Sequence, residues 1–240
     1  MCVAFASSLS VQALHAEGVT VFVAASLREA TEALSAQYHA QSGDQPVLVF
    51  ASTSAVARQV SQGAPADVAL LADQEWADWL VRQGGVSEIA PFAGNRLVLV
   101  SGGSQNLERI SDLTDALGSG VLAMAQPDAV PAGRYGKAAL VHSGLWEDLS
   151  PQIVQAANVR AALRFVERGE APFGIGYASD LVALPGLHEV YSFAPDSHPP
   201  IVYVAAQATP EGADFMTFLQ SDTAQEILQT WGFSPAPDQP

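Results

Sequence analysis

Lysine is almost missing from this chain: Lys137 is the only one in 240 residues. Lysine and arginine together number 10 against 25 aspartates and glutamates, a formal net charge of −15. No basic stripe exists, so nucleic acid is excluded as a partner, because phosphate neutralisation needs clustered cations. Cysteine is equally scarce. Cys2 stands alone, so no disulfide framework and no cysteine-based zinc site can be assembled. Charged residues reach only 15%, below the roughly 25% of an average chain. No run in the body of the sequence approaches the length of a membrane-spanning helix.

Enzyme signatures are also missing. There is no G-x-x-x-x-G-K-[ST], no H-E-x-x-H and no G-x-S-x-G. The histidines are His15, His39, His142, His188 and His198, and none stands at ligand spacing from another. Carboxylate pairs such as Asp73 with Glu75 and Glu147 with Asp148 read as charges at helix starts. Gly174 and Gly176 lack the third glycine and the turn of a dinucleotide fingerprint.

What is present is a 49% apolar chain, long enough to bury a substantial core. Residues 1–16 (MCVAFASSLSVQALHA) carry no Asp, Glu, Lys or Arg and read as a signal-peptide remnant, with cleavage expected before Glu17. From Val19 onward short β-branched runs alternate with amphipathic stretches. Strands are expected at 19–23, 47–50 and 68–71, with helices at 27–40, 55–62 and 74–82 between and after them. A second block brings strands at 97–100, 121–124, 173–177, 189–193 and 201–205, and helices at 133–142, 158–168, 211–219 and 223–230. The tail 234–240, with three prolines, is expected to be loose. Strand–helix alternation indicates parallel sheets covered on both faces. Periodicity permits either one open sheet or two α/β lobes.

Ligands of open α/β sheets bind beyond the carboxyl ends of the strands. Two hydroxyl clusters fall there. Ser26 ends the first strand and is expected to cap the first helix; Ser52-Thr53-Ser54 ends the second strand and opens the second helix. Helix starts add free backbone N–H groups and a positive dipole end, an anion site that needs no basic residue. Pro131-Ala132-Gly133 and Asn158-Val159-Arg160 open two further helices, with Asn158 an expected cap. Tyr177 closes the strand Phe173-Gly174-Ile175-Gly176-Tyr177.

These fragments, in this order, make the chain resemble the periplasmic molybdate-binding proteins of bacterial ABC transporters. The resemblance runs from about Val19 to Phe233. It is carried by Ala24-Ala25-Ser26-Leu27, Phe50-Ala51-Ser52-Thr53-Ser54 with Ala57-Arg58-Gln59, Gly63-Ala64-Pro65-Ala66-Asp67 and Ala72-Asp73-Gln74 with Trp76. In the second half it rests on Val130-Pro131-Ala132-Gly133, Tyr135 and Lys137, Val159-Arg160, the run 166–172, and Gly174 to Tyr177 with Ser179-Asp180. It implies an α/β, two-lobed periplasmic-binding-protein fold (type II), hinged, each lobe a sheet flanked by helices. Lobe 1 would be 19–97 with 205–240, and lobe 2 would be 98–204.

The resemblance also implies a function. The protein would capture molybdate or tungstate in the cleft and deliver it to an inner-membrane ABC permease. It would work in the periplasm as a non-catalytic monomer with no cofactor, the molybdenum held as its oxyanion without direct metal ligands. The implied contacts are the hydroxyls of Ser26 and Thr53, the backbone N–H groups of Ala132 and Val159, and the phenol of Tyr177. Thr53 stands where many members have serine, and its neighbour Ser54 is the alternative contact. Competing readings are a binding protein for sulfate or another tetrahedral oxyanion, and a small-molecule enzyme using the same cleft.

Overall fold

The computed structural model describes residues 18–104 and 106–237; the expected signal segment 1–16 lies outside them. In chain order the elements are β1 (Thr20–Ala24), α1 (Arg28–Ser42), β2 (Val47–Ala51), α2 (Thr53–Ser61), β3 (Val68–Leu71), α3 (Gln74–Arg82), β4 (Glu88–Gly94) and β5 (Leu97–Ser101). Then come α4 (Leu113–Leu117), β6 (Leu122–Ala125), α5 (Pro131–His142), α6 (Trp146–Leu149), β7 (Ile153–Ala156), α7 (Val159–Glu167), β8 (Phe173–Tyr177) and α8 (Ala178–Ala183). The chain closes with β9 (His188–Ser192), β10 (Val202–Gln207), α9 (Ala213–Leu219) and α10 (Asp222–Thr230).

The strands form two five-stranded sheets, ordered β2-β1-β3-β10-β4 and β7-β6-β8-β5-β9. In the first sheet β1 pairs in parallel with β2 and β3, in the second β6 pairs in parallel with β7 and β8, and in each the fourth position is filled antiparallel by a strand arriving from the other sheet, β10 and β5 respectively. Two lobes therefore replace the single open sheet that periodicity also allowed. Sheet membership changes between Gly94 and Leu97 and again between Ser192 and Val202. Leu97 thus belongs to the second sheet and residues 202–204 to the first, a few residues from the boundaries expected at 97/98 and 204/205.

The strand runs are apolar on both faces because both faces are covered. Along β1, Val21 and Val23 point into the cluster containing Leu34, Tyr38, Phe215 and Phe218 of α1 and α9, whereas Phe22 points into the one holding Val56, Val60 and Leu80 of α2 and α3. That is the two-residue side-chain period of a strand read out on two separate cores.

Several features depart from the sequence expectations. β4 was not anticipated, because Pro91 interrupts its pattern. It survives as an edge strand paired only with β10, with an irregularity beside Pro91, where a missing N–H is tolerated. The short β7, α4, α6 and α8 are also absent from the expected elements. Ser26 does not cap the first helix: it lies in a single 3-10 turn, Ala25–Leu27, ahead of α1, and Leu27 precedes α1 without a side-chain cap bond. The tail is not loose at its start, since Ser234 exchanges both backbone hydrogen bonds with Gly94 at 2.8 and 3.1 Å.

Candidate functional site

Four helix starts meet at the junction of the lobes. Ser52 caps α2 by accepting the Ala55 N–H at 3.3 Å, and Asn158 caps α7 by accepting Ala161 N–H at 2.9 Å. Pro131 occupies the first position of α5, where its missing N–H costs nothing. Tyr177 precedes α8, its own N–H bound to Asp180 Oδ2 at 2.8 Å. First-turn N–H groups have no intrahelical acceptor, so the amides of Thr53, Ala132 and Val159 are available at these ends.

The starts converge on one cavity lined by Ser26, Ser52 and Thr53 from the first lobe and by Ala132, Asn158, Val159 and Tyr177 from the second, with small apolar neighbours. All five residues singled out from the sequence therefore line it. Ser54 does not: it is buried and its Oγ lies 3.3 Å from Ser52 Oγ, so Ser52 rather than Ser54 is the second serine at the wall. No charged side chain is among the lining residues. The space open to the centre of a water molecule is about 10 Å³, so the void that surrounds those centres is larger than one water but small. A sugar, nucleotide or peptide does not fit, whereas a small tetrahedral ion matches the scale.

The hydroxyls are aimed by protein donors. Thr53 Oγ1 accepts the Ala72 N–H at 3.2 Å, and Ser26 Oγ accepts from Tyr203 Oη at 3.2 Å. Tyr177 Oη is buried without a hydrogen-bond partner. Burial pushes the Tyr177 phenol well up from its ordinary value, helped by Tyr203, Tyr135 and two carboxylates, so it is a donor at any physiological pH.

Charged groups surround the cavity without entering it. Arg160 Nη2 reaches Glu29 Oε2 at 2.7 Å across the lobes, and its Nε lies 2.9 Å from the fully buried Asp180. Burial raises the Asp180 carboxyl, against the opposing pull of Arg160 and the Tyr177 N–H. Asp73 stands at the start of α3 as expected and caps it, accepting Trp76 N–H at 2.9 Å, but it also accepts Tyr135 Oη at 3.2 Å from the other lobe. Burial raises Asp73 as well. Arg134 approaches both Asp73 and Glu75, and Trp76 Nε1 donates to Ala129 O at 2.9 Å. Asp73 was legible only as a charge at a helix start; nothing local signals its partners across the cleft.

The sequence pattern of the family described as bacterial extracellular solute-binding protein matches residues 19–234. The chain belongs to that family. The molybdate-binding protein ModA of Escherichia coli (strain K12) is 39% identical to this solute-binding protein over 236 residues, spanning 92% of this chain and 91% of that one. The molybdate-binding protein ModA of Haemophilus influenzae is 35% identical over 227 residues, spanning 90% and 89%. Among solved structures, the periplasmic molybdate-binding protein of Azotobacter vinelandii superposes with a TM-score of 0.83 at 26% identity, covering 92% of this chain and 100% of that one. The resemblance carried by the sequence motifs is thus matched along nearly the whole chain, and the two-lobed fold is shared.

Proposed function

We propose that this protein captures molybdate, and tungstate with it, in the cavity between the lobes and hands it to an inner-membrane ABC permease. It does so in the periplasm, as a monomer and without catalysis or a cofactor. One observation carries the reading: a cavity of ion size walled by hydroxyls and helix N-termini, with no charged side chain in the wall. The likeness to proteins named for molybdate supports the choice of ion.

The donors would be Ser26, Thr53 and Tyr177 through oxygen and Ala132 and Val159 through backbone nitrogen. A dianion at this point receives hydrogen bonds from both lobes, so binding and closure are one event. Hydrogen bonds to a charged group give roughly 1.5–3 kcal/mol each. Five of them, less desolvation and closure, support affinities of about micromolar to nanomolar. A wall of neutral donors without a carboxylate favours an anion without protons, and a donor set spaced for the longer metal–oxygen bonds of molybdate would be left partly unpaired by sulfate.

Isothermal titration with molybdate, tungstate and sulfate tests this. One-to-one binding of the first two is expected, with sulfate at least about tenfold weaker, the worth of a single lost hydrogen bond. Equal binding of sulfate would overturn the choice of ion, and no binding of any oxyanion would overturn the site.

A further inference from the structure

Ser26 Oγ and Tyr203 Oη lie 3.2 Å apart, both buried. Either hydroxyl can donate in such a pair, and the direction decides whether Ser26 offers the cavity a proton or a lone pair. Asn95 sets it. Its Oδ1 accepts the Arg96 N–H at 3.0 Å, which turns the amide nitrogen the other way. Nδ2 then donates to Ser179 Oγ at 2.8 Å and to Tyr203 Oη at 3.3 Å. Tyr203 Oη, receiving a proton from Asn95, has its own proton left, and Ser26 Oγ is the acceptor in reach. Ser26 accepts that proton and keeps its own for the cavity.

Tyr203 is suited to hold this direction. It is fully buried on β10, its ring packed edge-on against Phe233 and Tyr177 at centroid distances of 5.1 and 6.1 Å. Burial raises its phenol far above the ordinary value, so it stays protonated. Thr53 is aimed by the same logic, through the Ala72 amide.

We propose that Tyr203 and Asn95 are positioning residues that fix the Ser26 hydroxyl as a donor into the cavity, and so restrict the site to oxyanions that carry no proton. The inference rests on the molybdate reading, since it assigns Ser26 to the bound ion. With the Ser26 proton aimed into the cavity, the O–H of a protonated anion such as hydrogen phosphate meets that proton rather than a lone pair.

Titration of Tyr203→Phe, Ser26→Ala and the double variant with molybdate, and competition by inorganic phosphate, test it. Tyr203→Phe is expected to weaken molybdate about tenfold when Ser26 is present, and by less than about twofold in the Ser26→Ala background. It is also expected to narrow the preference for molybdate over phosphate about fivefold, because the Ser26 hydroxyl can then turn and present a lone pair to the ligand. Asn95→Ala, at a half-buried position, provides a second variant should Tyr203→Phe not fold; a loss of about threefold is expected, again only with Ser26 present. Equal losses in both backgrounds, or an unchanged phosphate preference, would overturn the relay. Absence of molybdate binding by the unsubstituted protein would overturn the proposed function, and this inference with it.

Discussion

Tyr177 holds a buried hydroxyl that no protein atom satisfies. Leaving such a group unpaired destabilises the ligand-free fold by about 1–3 kcal/mol, and a bound oxyanion is what would recover it. Tyr177→Phe is therefore expected to raise the melting temperature of the free protein slightly while weakening molybdate about tenfold. Thermal unfolding with and without ligand checks both signs. Ser26, Thr53 and Tyr177 were legible because strand ends and helix starts are local features, visible in a few consecutive residues. Tyr203 and Asn95 were not. Tyr203 reads as one more large residue in an apolar strand, and its partners stand 177 and 108 positions away.

Elements, not single side chains, build the amide half of the site. α5 delivers the Ala132 N–H only because it begins against the end of β6, and Gly133 makes that approach possible. A Cβ at Gly133 would meet the backbone carbonyls of Ala125 and Gln126, which cannot swing aside as a side chain can. Gly133→Ala is expected to push the start of α5 away from the cavity. It should cost about 2 kcal/mol of stability and at least about tenfold in molybdate affinity, read by denaturant unfolding and titration. A site made only of loop hydroxyls would leave affinity unchanged. Helices α2 and α7 were legible from their caps and apolar spacing, and α5, which has no side-chain cap, from its spacing alone. β4 was hidden because Pro91 breaks its alternation, and its pairing with β10 is a long-range fact.

Across the whole molecule the lobes are held together by few polar contacts. Among the described residues Glu29 meets Arg160, Trp76 meets Ala129, Asp73 meets Tyr135, and Arg134 meets Asp73 and Glu75. Arg160 and Glu29 are 14% and 27% exposed, dry enough for the pair to favour closure. Glu29→Gln removes the charge but keeps the shape. It is expected to raise the molybdate release rate about three- to tenfold with little change in association, as most changes within one interface act on dissociation. Stopped-flow displacement followed by tryptophan fluorescence measures it, and an unchanged release rate would mean that closure does not depend on this bridge. Setting aside the strand that arrives from the other lobe, two sheets of matching strand order arise without any visible sequence repeat, because strand order depends on backbone pairing and not on side-chain identity. The sequence alone determined the alternation of strands and helices, the acidic and lysine-poor surface, and the hydroxyls and caps at the strand ends, since each is settled by neighbours within a turn or two. Only the tertiary structure decided that there are two sheets, that five separated residues line one cavity, and which way the Ser26 proton points. Those outcomes depend on contacts between residues more than a hundred positions apart, and local patterning carries no information about them.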